Sequence, residues 1–501
     1  MSKTQKFSIE ATRESDFPKW YKETVTKSEI LEYHDINGCY VLRPNGFFIW
    51  NTIKNYFTGK IDGLGVKEAY FPMLVSKAVL EKEKDHLENF APEVAWITEC
   101  GGKPLENPVA IRPTSETIMY PYFSKWIQSY RDLPLKLNQW CNVLRWETTQ
   151  TMPFIRGREF LWQEGHTAHL TREEADKEVF EILGFYESVY RELLAVPVIK
   201  GMKSKKETFA GADFTTTVEV FIPHTGKGIQ AATSHSLGTN FSTMFNVTVE
   251  DPKAPGCFMP VFQNSWGLST RSIGVAILVH SDNRGLVLPP KVASTQVVIV
   301  PCGLSKNTPE EEKQKILDEA SRIEKALNAQ GVRAQADLAL NVTPGHKFNH
   351  WEVRGVPLRI EIGPKDLANN QVCFAWRMDK TKKSVPLENI EKAVQEELDA
   401  IHETMYHNAK LLQETSMLKG STMEDLNAAL RGGKMCTMVW CGSVECEDAI
   451  KKMTEERDKN NVVAAAGAKS LCIPFSENKP SGACSVCPSE ATCVGLFGRS
   501  Y

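Results

Sequence analysis

The chain has 501 residues, 42% of them hydrophobic and 24% charged, with a formal net charge of −3. That is an ordinary globular composition, long enough for about two to four domains, and a polyanionic partner would have to be met by local basic patches rather than by the overall field. The 13 cysteines are odd in number and mostly isolated, which fits a reducing compartment rather than a disulfide framework. The start, MSKTQKFSIEATRESDF, has no apolar run for a signal peptide, and no apolar stretch approaches a membrane span. A cytoplasmic location without membrane insertion is expected.

Residues 1–35 read as an amphipathic helical lead-in, with Trp20, Val25 and Leu31 among charges. The next stretch reads as strand, helix, strand. Phe47, Phe48, Trp50, Ile53, Phe57, Ile61 and Leu64 recur at helical spacing, and Pro72 closes a strand over Val66 to Phe71. Residues 76–108 are charged and punctuated by Gly and Pro, which predicts a mobile loop region. In AIRPTSETIMYPYF, Thr114 and Glu116 precede a helical pattern, where free amides favour anions.

Leu135 to His169 carries the densest chemistry. It reads as two strands joined by a polar loop. Arg145 and Glu147 share one face of the first strand; Phe160, Trp162, Glu164 and His166 share one face of the second. Arg156 sits in the loop beside Gly157. A face combining arginine, carboxylates, indole and imidazole is explained by a concave ligand site, because a core could not bury those charges unpaired.

Thr171-Arg172-Glu173-Glu174 is a capping box opening a helix to about Ala195. Thr215 to Pro223 is a β-branched strand. The following segment carries Gln230, Thr233 and His235; the last two share a strand face, and Gln230 falls on the other parity, so either a bulge intervenes or Gln230 serves another ligand. NSWGLSTRSIGVAILVH gives a strand, a turn at Gly267, Arg271, and an apolar helix from about Ile273.

Pro289-Pro290 marks a boundary. A strand at STQVVIV, a helix opened by a Thr308-Pro309-Glu310-Glu311 capping box, and strands at VRAQAD, PLRIEIG and QVCFAW predict a small α/β domain of mixed sheet at 293–395. From 396 a charged helix leads into a cysteine-rich tail.

His166, His169 and Glu164 do not have the spacing of a helical zinc site. Cys441 and Cys446 with Cys484 and Cys487 form two close pairs, CGSVEC and CSVC, a tetrahedral pattern for structural Zn2+; Cys436, Cys472 and Cys493 compete as ligands. No GxxxxGK[ST] loop is present, but Arg145, Arg156 and Arg271 each neighbour aromatic or Gly-rich turns, and arginines can hold phosphates and stack on a purine.

These segments carry a family resemblance. The stretch ending in Pro72 resembles motif 1 of the class II aminoacyl-tRNA synthetases, LRWE with REF motif 2, and GLSTR motif 3. RPTSE, REFLWQEGH, TSHSLGTNF and the final GRSY resemble the prolyl-tRNA synthetases of eukaryotic and archaeal type, over essentially the whole chain. The resemblance implies an α+β fold. A class II antiparallel sheet flanked by helices would span 1–288, an α/β mixed-sheet anticodon-binding domain 293–395, and a small zinc-bearing α/β domain 396–501. It also implies a homodimer through motif 1.

The resemblance further implies ATP-dependent activation of L-proline and its transfer to the 3′ end of tRNA(Pro). Arg145 would be catalytic, bridging the proline carboxylate and the α-phosphate. Glu147, Arg156, Gln230, Thr233, Ser269 and Arg271 would join it on ATP, with Arg271 stacking on adenine and Gln230 also holding Mg2+ through ATP. Thr114, Glu116, Trp162, Glu164, His166 and His235 would frame proline, with Phe90 and Glu93 in a closing loop. Lys347, Glu352, Arg359 and Glu361 would read the anticodon. Gly157 and Ala231-Ala232 depart from the family pattern, and the second cysteine pair is CxxC where some relatives have CxC. A non-catalytic tRNA-binding homologue, or a ligase for another small amino acid such as alanine or cysteine, are the rival readings. No editing insertion separates motifs 2 and 3, so misactivation of such amino acids is expected to go uncorrected.

Overall fold

The computed structural model describes residues 8–80, 94–146, 150–305, 307–457, 463–475 and 480–501. Seven strands build the site-bearing sheet: β1 (Lys67–Glu68), β2 (Leu135–Leu144), β3 (Glu159–His169), β4 (Ile199–Met202), β5 (Phe214–Ile222), β6 (Lys227–Gly238) and β7 (Phe262–Ser269). Their spatial order is β4-β5-β6-β7-β3-β2-β1, antiparallel except where β1 meets β2. The expected strand over Val66 to Phe71 shrinks to β1. Beyond it the Ala69 amide still donates to the Asn138 carbonyl, but the Phe71 amide donates to the Gln139 side chain.

Period-two alternation divides each strand between two environments. On β3 the odd residues face helix α2 (Arg172–Ser188) and the core, where Tyr186 donates to Gln163 and Thr167 donates to Glu178. The even residues face the site. Gly165 belongs to the core side, where a Cβ would lie 2.2 Å from the Trp266 ring, so only glycine leaves the indole its place. Thr171 caps α2 as expected, accepting from the Glu174 amide. Helices α1 (Glu116–Trp126) and α3 (Arg271–His280) deliver the other site residues.

The region 76–108 is not a loop throughout. Leu74–Ser76, Trp96–Cys100 and Lys103–Ile111 form a three-stranded antiparallel sheet. The glycines that suggested a loop make its hairpin turn, Gly101 and Gly102 having φ of 59° and 75°. Phe90 and Glu93, and likewise Glu147, lie outside the described residues.

The second sheet has five strands in the order Ala334–Ala336, Val297–Pro301, Leu358–Ile362, Gln371–Trp376, Lys382–Pro386, parallel then antiparallel. The last strand and the helix Pro344–Val353 were not anticipated. Thr308 does not cap the helix Glu310–Ala329; its hydroxyl accepts from the Ser305 amide, and Pro309 takes the cap position. A single helix, Ile390–Thr415, runs through the expected 395/396 boundary.

The C-terminal segment is continuous with the first sheet. Cys493–Ser500 pairs with Met435–Trp440 and Lys469–Pro474, then lies parallel to the start of β6, with Gly228 opposite Ser500. Eleven strands thereby form one sheet, and Tyr501 ends beside the site.

Candidate active site

Two adjoining cavities open on the site face, sharing Arg145, Phe160, Ser269 and Arg271 in their linings. The smaller, about 250 Å³, is lined by Thr114, Glu116, Trp162, Glu164, His166, Gln230, Thr233 and His235 among others. The larger, about 370 Å³, contains Arg156, Gly157, Phe154 and Tyr501.

The smaller cavity is pinned by hydrogen bonds. Glu164, 2% exposed, accepts at Oε1 from Ser115 Oγ at 2.5 Å and Gln139 Nε2 at 2.6 Å, and His166 Nε2 lies 3.0 Å from Oε2. Burial alone would push this carboxyl up; the His166 hydrogen bond and charge, with Ser115 and Gln139, hold it below its ordinary value. Burial pulls His166 down, yet the Glu164 hydrogen bond and the charges of Glu116 and Glu164 raise it overall. Each group thus favours the charged form of the other, and removing one partner of such a buried pair typically costs about 3–5 kcal/mol. Tyr120 Oη, on α1, lies 2.9 Å from His166 Nδ1.

Glu116 is 3% exposed at the first position of α1, and Thr114 donates to its carboxylate. His235 behaves oppositely to His166. Burial, reinforced by the His166 charge, lowers it to about 3, so its imidazole is neutral at pH 7; Nδ1 lies 2.9 Å from the Thr215 hydroxyl and the ring 4.8 Å from that of Phe209. The Trp162 Nε1 and Ser265 Oγ atoms are buried without a hydrogen-bond partner, although both residues line the cavity.

Gln230 reaches this cavity through a β-bulge. The register of β5 and β6 steps from Val218 opposite Ala232 to Glu219 opposite Gln230, leaving Ala231 unpaired. The extra residue restores the parity that strand alternation denied, so a separate ligand is not needed to explain it.

The shared arginines are held by backbone. Arg145 lies just past β2; its Nε donates to the Pro113 carbonyl at 2.9 Å, with the guanidinium 5.2 Å from the Trp162 ring. Arg271 donates from Nε and Nη2 to the Ile155 carbonyl at 3.3 and 3.2 Å, and from Nη1 to the Gln230 carbonyl at 3.1 Å. Occupied edges fix the plane and leave the faces for stacking. Burial, then Arg145 and Arg156, lower Arg271 from its ordinary value, but it remains cationic at neutral pH. Arg156 is exposed on the loop, its amide donating to the Met152 carbonyl.

Ser115, Gln139 and Tyr120, which support Glu164 and His166, were missed. Tyr120 lies four residues after Glu116, a one-face helical spacing that could have found it; Phe209 and Tyr501 arrive through tertiary packing. In the helix Pro344–Val353, beside the second sheet, Lys347 does not face outward. It is 3% exposed, with Nζ 3.2 Å from the Asp337 carboxylate. Phe348, unanticipated, lies 3.9 Å beneath the Arg359 guanidinium, which also donates to Glu361.

The Sγ atoms of Cys441, Cys446, Cys484 and Cys487 lie within 4.8 Å of one another. Tetrahedral zinc thiolates require S–S separations of about 3.8 Å, so the four fit a metal with small adjustment. Ser489 hydrogen bonds lower Cys487 to about 6, favouring thiolate. Cys436, Cys472 and Cys493 fall outside this group.

Two arginines at the junction of two cavities, with buried carboxylates in the smaller one, on a helix-flanked antiparallel sheet, fit the class II aminoacyl-tRNA synthetases, and comparison with known proteins shows that class. The family described as "tRNA synthetase class II core domain (G, H, P, S and T)" matches residues 98–280, an anticodon binding domain 296–397, and the prolyl-tRNA synthetase C-terminal family 423–501. Proline–tRNA ligase from Encephalitozoon cuniculi is 53% identical over 498 residues, covering 99% of each chain. Prolyl-tRNA synthetase from Cryptosporidium parvum superposes with a TM-score of 0.92 as its halofuginone and AMPPNP complex (47% identity) and 0.90 as its L-proline and AMP complex (46% identity). Both cover 99% of this chain and 100% of theirs. The chain belongs to the prolyl-tRNA synthetases.

Proposed function

We propose that the chain activates L-proline with ATP as prolyl-adenylate and transfers the prolyl group to the 3′ end of tRNA(Pro). Family membership supports the reaction, and the observation that carries the residue roles is the sharing of Arg145 and Arg271 between the two cavities. The smaller cavity takes proline. Glu116 receives its secondary ammonium, a charge-assisted contact in a dry site, and Trp162 with neutral His235 and Phe209 packs the ring. Glu164 positions rather than binds, since its oxygens face Ser115, Gln139 and His166.

ATP takes the larger cavity, with adenine on the Arg271 face, Arg156 at the terminal phosphates, and Ser269, Thr233 and Gln230 along the junction; Glu147 belongs to this set by sequence. A proline carboxylate oxygen attacks the α-phosphorus and the bond to pyrophosphate breaks. Negative charge grows between the cavities, where Arg145 is already oriented, so little reorganisation accompanies the step. A hydroxyl of the tRNA terminal ribose then attacks the prolyl carbonyl and AMP leaves. Mg2+ would enter with ATP, held by its phosphates and Gln230, and would supply charge neutralisation.

Cys441, Cys446, Cys484 and Cys487 would hold a structural Zn2+ that ties the helix Val444–Thr454 to the loop before the final strand. The domains are read as 1–288 catalytic, 293–395 anticodon-binding and 396–501 zinc-bearing. Exposed Tyr70, Met73, Leu74, Tyr122 and Trp126 around motif 1 suit a homodimer interface. Among the described residues no helix is long and apolar enough to cross a membrane; the proposed cytoplasmic location rests on the likeness to relatives that include a cytoplasmic proline–tRNA ligase. A pocket separates small apolar substrates such as proline, alanine and cysteine by only about 1–3 kcal/mol per methylene-sized difference.

Proline-dependent exchange of pyrophosphate into ATP is the test. No exchange with proline or any other amino acid would overturn the reading. Elemental analysis should find about one zinc per chain; well under one equivalent would remove the structural site.

A further inference from the structure

The tRNA-facing sheet and the motif 3 helix are joined by a chain of charges. Arg359, over Phe348, and Lys382 both bind Glu361 at the outer end. Arg359 Nη1 also lies 3.5 Å from Glu352 Oε1. The same carboxylate oxygen lies 3.8 Å from Nη1 of Arg284, across the domain junction. Arg284 and Arg377 then converge on Asp282: Arg377, 4% exposed, donates to both carboxylate oxygens at 2.9 and 2.7 Å, and Arg284 Nε donates at 3.1 Å. Arg377 Nε also donates to the Glu352 carbonyl at 2.7 Å. Asp282 follows α3 by two residues, and α3 begins with Arg271.

Two features make this more than a surface network. The domain seam is backbone-tight: the Leu286 amide donates to the Val353 carbonyl at 3.2 Å, and a Cβ on Gly355 would stand 2.8 Å from the Leu286 carbonyl. The segment after Glu352 therefore packs directly on the segment after Asp282. Glu352 Oε1 also stands between two guanidiniums, 3.5 Å from Arg359 and 3.8 Å from Arg284, longer than a settled hydrogen bond to either.

We propose that Glu352 is a two-position element coupling anticodon occupancy to the catalytic centre, with Arg284 and Asp282 relaying the change to the C-terminal end of α3. An anticodon base edge engaging Arg359 or Glu361 draws Arg359 away; Glu352 then closes on Arg284, and the change passes through Asp282 to the end of α3. The proposal rests on the tRNA-charging reading and adds a route to it. Coupling requires an element whose equilibrium both sites bias, and Glu352 is that element.

The test uses the full-length enzyme with tRNA(Pro) transcripts carrying the native or a substituted anticodon. Arg284→Gln removes the charge facing Glu352 and touches neither cavity. For native tRNA the charging kcat should fall about tenfold with KM for tRNA unchanged. The already slow substituted tRNA should be unaffected, so anticodon discrimination collapses through kcat. Proline-dependent pyrophosphate exchange without tRNA should stay at the wild-type rate, and Arg284→Lys should restore most of the kcat. Unchanged discrimination, a rise in KM with kcat held, or no recovery in Arg284→Lys would each overturn the coupling. Absent exchange in the wild-type chain would instead defeat the functional reading itself.

Discussion

The two cavities are built on opposite principles. In the smaller one the polar side chains hold each other: Glu164 is gripped by Ser115, Gln139 and His166, and Glu116 by Thr114. In the larger one arginines are aimed by backbone carbonyls, Arg271 by Ile155 and Gln230, and Arg156 stands exposed. The contrast follows from the ligands proposed for them. Proline offers one ammonium, one carboxylate and an apolar ring, so selectivity needs a dry, rigid wall. A nucleoside triphosphate offers many charges, and oriented cations at a wetter surface suffice. Arg145 and Arg271 line both, and the proposed reaction runs past Arg145.

That comparison can be broken most severely at Arg145. Arg145→Ala should lower proline-dependent pyrophosphate exchange about 1,000-fold with an unchanged melting temperature; exchange near the wild-type rate would remove it from the centre. Glu116→Gln should act on one side only. A lost charge-assisted contact in a buried site of about 3 kcal/mol raises KM for proline about 100-fold and leaves KM for ATP alone. A parallel rise in both would merge the two cavities into one functional unit. Arg156→Ala is the mirror experiment, raising KM for ATP about tenfold, on the scale of a single exposed charge contact, with KM for proline constant.

The smallest effect concerns pH. His235 is lowered to about 3 by burial, below the unfolded value of about 6.5. Between those values the unfolded chain binds the extra proton, so stability from this group falls as pH falls, by at most about 1.4 kcal/mol per pH unit. His166 has the opposite sign: raised in the folded state, its contribution is present below about pH 6.5 and is lost as pH rises through the folded value. Melting temperatures from pH 7 to 5 should therefore fall less steeply in His235→Gln than in wild type, and equal slopes would show that the ring is already solvated.

How legible the site was varied with how local its cause is. Phe160, Trp162, Glu164 and His166 share a face because strands alternate, and that held. Gln230 breaks the same rule, and of the two explanations the sequence leaves open, a bulge or a separate ligand, the structure has the bulge, unpaired Ala231 reversing the parity of everything before it. The region 76–108 read as loop because prolines and charges obscure short exposed strands whose pairing is decided elsewhere. Lys347 looked like a tRNA contact by composition, and only its partner Asp337 reveals that it is buried.

By itself the sequence determined the class of fold and the motifs through its family resemblance, and the arginine set and the four cysteines through short spacings, because both are carried by chain-local residue patterns. Tertiary structure alone decided which residues hold which. Ser115 and Gln139 meet Glu164 from a helix cap and a neighbouring strand, Tyr501 returns to the site from the last strand, and Arg284 meets Glu352 across a domain junction. Such pairs are separated by tens to hundreds of residues, and no local pattern encodes them. They exist because burying a charge without a partner costs more than the fold's marginal stability can absorb, and the partner is chosen in three dimensions.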